Sequence, residues 1–299
     1  MRISERQRYA ITQSRVEDAK SNNAKMLEMM STQKRINALS DDPVGAGQAV
    51  KYKSSIAGAK QYLRNIDFAK GYIERTESAL SGIHEVLIRA KELAVGMANS
   101  TYGAESRTAT ARELKEIMDS VVSMGNSTYG GRYVFGGFRT QTPPLSRDGA
   151  FMGDDGAIFL QIGEGTFRRV NLSARELFEA TPQDRDGGHF NMIDCLDVLY
   201  TGLNTNDVAM IRVAMDELDW QLEKSSSYQA TLGSVFNALE ETRKRVDLGE
   251  ELTTAGLSRI EDSDMYEAAS DFKKTEAILQ STLLASNKLL QPSLLNFLQ

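Results

Sequence analysis

Two histidines, one cysteine, four closely spaced glycines and one acidic pair are the residues from which this 299-residue sequence could build chemistry. His84 opens the run His84-Glu85-Val86-Leu87-Ile88, where a helical zinc motif would place a second imidazole four residues on; Ile88 stands there instead. His189 lies in Asp186-Gly187-Gly188-His189-Phe190 and reads as a turn residue, since no thiol or second imidazole is near it in sequence. Cys195 is alone, so no intramolecular disulfide can form, and it reads as a small buried side chain. Gly130, Gly131, Gly136 and Gly137 are followed by no Lys-Ser or Lys-Thr pair and are flanked by strand-like residues, which excludes a phosphate loop. Asp154-Asp155-Gly156 lacks the alternating oxygen ligands and terminal Glu of a calcium loop and predicts a hairpin turn. No acid, base or nucleophile constellation emerges, so the sequence predicts no enzyme: no catalytic residue, no cofactor and no metal.

The charge balance excludes another class. Thirty-five Lys and Arg against 41 Asp and Glu give a net charge of -6, whereas a nucleic-acid binder needs clustered cations to displace counterions from phosphates. The opening Met1-Arg2-Ile3-Ser4-Glu5-Arg6-Gln7-Arg8 is polar with no apolar stretch behind it, so no cleaved secretory signal is expected. No apolar run is long enough to predict membrane insertion. If the chain leaves the cell, it does so by a route that does not read such a signal.

The elements predicted around these residues are mostly helices. Five prolines and one tryptophan fit long regular helices, and the chain length predicts more than one domain. Tyr9, Val16, Asn23 and Met30 recur at heptad spacing, with Thr12, Ala19, Met26 and Gln33 offset by three, which makes an a/d seam. The seam is shallow, and such a helix needs a partner. Ser40 or Asp41 can cap a second helix with Pro43 in its first turn. That helix is predicted over 44–99, with Ile66, Ile73, Leu80, Leu87 and Ala94 on one stripe and Ala69, Thr76, Ile83 and Ala90 interleaved. A third helix follows over 110–124. The Gly-punctuated aromatic run 129–138 predicts short strands or a hairpin, and alternating runs between 143 and 181 predict a small β-rich insertion. Helical periodicity returns from Met192 to about Val246, and 248–263 reads as a linker. A last seam runs through Met265, Phe272, Leu279 and Ser286 with Ala268, Thr275, Thr282 and Leu289. The predicted organisation is an N-terminal coiled-coil helix over 1–40, a helical segment with a β-hairpin over 41–142, a β-rich surface insertion over 143–190, a return helix over 191–250, and a linker with a C-terminal coiled-coil helix over 251–299. The fold class is mainly α: an elongated helical rod whose terminal helices pair, carrying a small β-rich inserted domain.

With these segments laid out, both ends of the chain resemble the bacterial flagellin superfamily. The N-terminal match is Arg35-Ile36-Asn37-Ala38 followed by Asp41-Asp42-Pro43-Val44-Gly45, then Glu92-Leu93-Ala94-Val95 and Ala98-Asn99-Ser100-Thr101. The C-terminal match is Leu257-Ser258-Arg259-Ile260-Glu261-Asp262-Ser263-Asp264 with Ala277-Ile278-Leu279-Gln280 behind it. Within the superfamily, three features look more like the hook-associated protein 3 family than like filament flagellin. They are the opening Met1-Arg2-Ile3-Ser4 with Tyr9, the element Gly131-Arg132-Tyr133-Val134-Phe135-Gly136-Gly137-Phe138, and the ending Leu294-Leu295-Asn296-Phe297-Leu298.

The resemblance implies a structural subunit of the flagellum at the junction between hook and filament, with filament flagellin as the alternative. It implies extracellular placement, export through the flagellar type III apparatus, and prior capture by an export chaperone. The implied partners are further copies of the chain in a ring, the other hook–filament junction protein, and flagellin. The N-terminal assembly seam is then Tyr9, Val16, Ala19, Met26 and Met30, and the C-terminal one Met265, Ala268, Phe272, Leu279 and Leu289. Arg35, Asn37, Asp41, Asp42, Pro43, Arg259, Glu261 and Asp262 make the linker motifs. Shallow seams give assembly a mechanism, because terminal helices that order only when covered tie folding to assembly.

Overall fold

Residues 2–99 and 102–290 are described by the structure, a computed structural model, with side chains from residue 6 to residue 288 outside that gap. The chain forms two compact units, Met1–Gly58 with Leu248–Gln299 and Ala59–Asp247.

The first unit contains α1 (Arg2–Thr32), the start of α2 (Pro43–Met97), the end of α7 (Val208–Glu261) and α8 (Met265–Leu290). Helices α1 and α8 run antiparallel: Lys34 pairs with Asp262 just after α1 ends and just before α8 begins, and Thr12 and Ser286 line one groove further along. The stretch 248–263, expected as a linker, is helical through Glu261. Nothing between Leu248 and Glu261 breaks a helix, and Gly256 serves packing, since a Cβ there would stand 3.3 Å from the Tyr52 ring.

The second unit is built on the middle of α2. All nine positions of its predicted stripe, from Ile66 to Ala94, are buried. Leu114, Ile117 and Val121 of α3 (Ala104–Gly125), Leu196 and Leu199 of α6 (Met192–Thr205) and Leu218 of α7 share that core. The predicted return helix is broken in two. Asn206 adopts φ 59 and its backbone N–H returns to Gly202 O, while the Asp207 carboxylate accepts from Ala209 N at 2.8 Å and starts α7. The periodicity on both sides of the break concealed this stop-and-start pair.

Two antiparallel hairpins complete the unit. Strands β1 (Thr128–Tyr129) and β2 (Arg132–Tyr133) are joined by Gly130 and Gly131, at φ 57 and 77, a two-residue turn that needs left-handed residues at both places. Strands β3 (Phe159–Gly163) and β4 (Thr166–Arg169) turn at Glu164-Gly165, followed by the short α4 (Ala174–Phe178) and α5 (Pro182–Asp186). Leu145, Ile162, Leu172 and Leu177 lie in the same buried core as the long helices. Asp154-Asp155-Gly156 does not form a hairpin turn: the Asp154 Oδ1 accepts from the N–H of Phe138 at 2.6 Å and of Gly156 at 2.9 Å, tying two separate segments.

Candidate assembly seam and helix joint

The predicted terminal seams meet. Ala19 is 8% exposed and Ala268 4% exposed, and Val16, Asn23, Met26 and Met30 are half-buried, as are Phe272, Thr275 and Leu279. Asn23 Nδ2 donates to Thr275 Oγ1 at 3.3 Å, linking the two stripes directly. The edges of the predicted set are more open. Tyr9 is 57% exposed and Met265 is 37% exposed, and the Leu289 side chain lies outside the described residues. The buried positions of the seam are the small Ala19 and Ala268, and the larger Val16, Met26, Met30, Phe272 and Leu279 are only half-buried, so its burial stabilises the pair only modestly. Ile11, Leu27 and Leu284 remain exposed on the same helices, and the exposed Ile278 lines the groove between them.

Where α1 ends and α8 begins, the two inter-helix connections pass side by side. Arg35 N donates to Glu261 O at 2.7 Å and Ser263 N to Gln33 O at 3.0 Å, with Arg35 Nη2 reaching Ile260 O at 2.9 Å. The Glu261 carboxylate is buried, yet it holds both Lys34 Nζ at 2.7 Å and Lys53 Nζ at 2.8 Å on Oε1. Burial works against its ionisation, but hydrogen bonds and charge from the two lysines outweigh that and hold its carboxyl below the usual range.

Asp41 organises the turn before α2. Its Oδ1 pairs with Lys25 at 2.8 Å, and its Oδ2 accepts from Ala38 N at 2.9 Å and Asn37 N at 3.2 Å. The Lys25 hydrogen bond, then the two backbone donors, hold its pKa down at about 2. Asp41 is therefore not the helix cap that its position suggests, and neither is Ser40. The cap is Asp42, whose Oδ1 accepts from Gly45 N at 2.9 Å with Pro43 at the first helical position. Asn37 donates to Lys34 O, Asp262 accepts from Ser258, and Arg259 is exposed in the last turn of α7. Lys25, Lys34 and Lys53 were missed by sequence reasoning. Lys53 and Glu261 are 208 residues apart, and no local spacing signals such a pair.

The element 131–138 is anchored from three sides. Val134 and Phe135 are fully buried, Tyr72 Oη donates to Val134 O at 2.6 Å, and Ala174 N donates to Phe135 O at 2.8 Å. Gly137 adopts φ 63, and a Cβ there would stand 2.1 Å from Asp154 Oδ1 and 2.2 Å from the Asp154 carbonyl oxygen. The second glycine of the pair is thus dictated by both conformation and space.

Residues 3–140 match the family described as the bacterial flagellin N-terminal helical region, and residues 215–298 match the bacterial flagellin C-terminal helical region. This chain belongs to the bacterial flagellin superfamily. It is 28% identical to flagellar hook-associated protein 3 of Salmonella typhimurium, over 94% of this chain and 95% of that protein. Flagellin of Bacillus subtilis is 27% identical over 94% of each. The fold is similar to flagellar hook-associated protein 3 of Legionella pneumophila, with a TM-score of 0.62 at 14% identity, covering 70% of this chain and 98% of that one. FlgL of Bacillus cereus gives a TM-score of 0.59 at 20% identity, covering 70% and 99%.

The superfamily is structural, not enzymatic, and the residues first suspected of chemistry serve packing in this flagellin-superfamily chain. Cys195 is buried with Sγ 3.7 Å from Ala214 O, and burial, with Glu217 and Asp194 adding charge, pushes its thiol far up. His189 is more than a turn residue: its Nδ1 lies 3.0 Å from Glu217 Oε2 and its ring stacks on Trp220, fastening the segment after α5 to α7. His84 is half-buried on α2. Among the described residues, no group of three or more His, Cys, Asp or Glu could hold a metal, and no helix is long and apolar enough to cross a membrane.

Proposed function

We propose that this structural subunit of the bacterial flagellum forms the hook–filament junction, as a ring of copies between the hook side and flagellin. The observation that carries this reading is the element 131–138, the feature by which the sequence looks like hook-associated protein 3 and not like filament flagellin. Its glycine pair is required by the Asp154 clamp and its Val-Phe pair is sunk in the core, so it is a built part of the fold.

Assembly proceeds through the terminal seams. Helices α1 and α8 cover each other only partly and leave Ile11, Leu27 and Leu284 exposed, apolar surface that neighbouring subunits bury. The chain reaches its site through the flagellar type III apparatus, held beforehand by an export chaperone at its C-terminal helix, and is extracellular once assembled. The other hook–filament junction protein is its neighbour in the tube.

A second reading, filament flagellin, is favoured by the whole-length similarity to a flagellin. Deleting the gene in the native host separates the two. Hooks without filaments, with flagellin shed into the medium, are expected for a junction subunit; filaments that persist without shedding would overturn the reading in favour of one flagellin among several.

A further inference from the structure

The β3–β4 hairpin of the second unit is apolar on both faces. Leu160 and Ile162 turn toward the core, as an attached hairpin requires. Phe159 is paired with Arg169 and Gln161 with Phe167, which puts both phenylalanines on the opposite face, where they are 58% and 61% exposed. The solvent face of such a hairpin is ordinarily polar. Arg169 is held on the Glu176 carboxylate, but Arg168 and Glu164, at the same end of the hairpin, are exposed and take part in no ion pair among the described residues. The tip is thus an aromatic knob flanked by one unspent cation and one unspent anion.

The same unit carries a hollow of matching chemistry. Val95, Ala98 and Asn99 at the end of α2, with Arg212, Met215 and Asp216 near the start of α7, line an open groove of about 420 Å³. Val95 and Met215 give it apolar walls. Arg212 and Asp216, one helical turn apart, are exposed and likewise unpaired among the described residues. Knob and groove cannot meet within one chain. The hairpin is fixed to α2 at Asn65, whose Nδ2 donates to Gln161 O at 2.7 Å, whereas the groove opens at Val95 of the same helix. At the rise of an α-helix those two places are about 45 Å apart along its axis. A knob and a hole at different places on one surface make a head-to-tail contact, which repeats from copy to copy and builds rings or open series instead of closed pairs.

We propose that the β3–β4 hairpin of one copy docks in the α2/α7 groove of the next, with Phe167 against Val95 and Met215, Arg168 on Asp216 and Glu164 on Arg212. The contact lies wholly within the second unit and needs nothing from the terminal helices. It rests on the reading that copies of this chain assemble side by side, and it names one surface through which they do so.

The test uses the full-length chain with Thr166→Cys at the hairpin tip and Asn99→Cys in the groove, both exposed positions, while the buried Cys195 stays unreactive. It is produced in the native host in place of the wild type, and isolated flagella are oxidised. The double variant should give a ladder of dimers, trimers and higher multiples of this chain, and each single variant no cross-link. Adding Arg168→Glu, which sets two acids against each other, should lower the ladder about tenfold, and adding Asp216→Arg to that chain should restore it. No ladder from the double variant, a ladder indifferent to Arg168→Glu, or a loss that Asp216→Arg does not recover would each overturn the contact. So would a Thr166→Cys single variant cross-linked to another protein, because the hairpin would then be seated on a different partner. Gold labelling of the chain in the same flagella reports on the junction separately: label along the whole filament would remove the hook–filament placement, and the ladder would still decide the contact.

Discussion

Asn23 on α1 donates to the Thr275 hydroxyl on α8, a polar rung joining two residues 252 positions apart in the chain. Apolar side chains of similar size slide past one another at little cost, whereas a hydrogen bond in a seam is satisfied at one register alone. The Asn23–Thr275 pair therefore fixes the alignment of α1 against α8. In a double-mutant cycle of Asn23→Ala and Thr275→Ala, followed by thermal unfolding, a coupling of about 0.5–1 kcal/mol is expected. Additive losses would mean that the seam aligns by packing alone.

Removing residues 264–299 takes away the partner of the α1 stripe. The remainder should stay soluble and largely helical, because the core of the second unit lies within residues 66–239, but it should form no junction in cells. Normal junctions from the truncated chain would place assembly elsewhere.

Acid should loosen the turn at residues 37–41 only at low pH. Asp41 has its pKa lowered from 3.8 to about 2. A depressed carboxyl contributes stability in full above its unfolded value and loses it as pH falls through the folded one. The contribution is thus present at pH 5 and disappears between about pH 4 and pH 2. NMR shifts of the Asn37 and Ala38 amides, both bonded to Asp41, should titrate in the folded protein with a midpoint near pH 2 in the wild type and not in Asp41→Asn.

Two glycines on the same chain should respond oppositely to alanine. Gly137→Ala meets the Asp154 backbone at a left-handed φ and should cost about 2–4 kcal/mol in denaturant unfolding. Gly47→Ala, inside α2 with nothing within 4 Å of the new Cβ, should stabilise by roughly 0.5–1 kcal/mol.

The Cys195 thiol should be silent toward an aromatic disulfide reagent at pH 8 until the protein unfolds, since burial both hides it and keeps it protonated. Rapid reaction in native buffer would show that α6 and α7 open locally.

Periodicity made the helical part of the fold legible. Ile66, Ile73, Leu80 and Leu87 are buried because a long helix with one apolar stripe has only one way to shed it from water, and the terminal stripes met for the same reason. The Gly130-Gly131 turn was legible because few residues tolerate its dihedral angles. The joint was not. Its residues could be named from the superfamily motifs, but what they do depends on Lys34 and Lys53 reaching Glu261 across more than 200 positions. His189 likewise found Glu217 only through the folding of α6 back onto α7. The break at Asn206-Asp207 was written in cap chemistry, and the apolar rhythm on either side obscured it.

The first unit is assembled from the two extremities of the polypeptide, Met1–Gly58 and Leu248–Gln299. Its closing contacts have very high contact order, so whichever end of the chain emerges first must wait for the other, and the second unit, whose residues are contiguous, can finish without either. The last 50 or so residues consequently act as a timer: until they are free, α1 has no partner and Glu261 no lysine from the amino-terminal side.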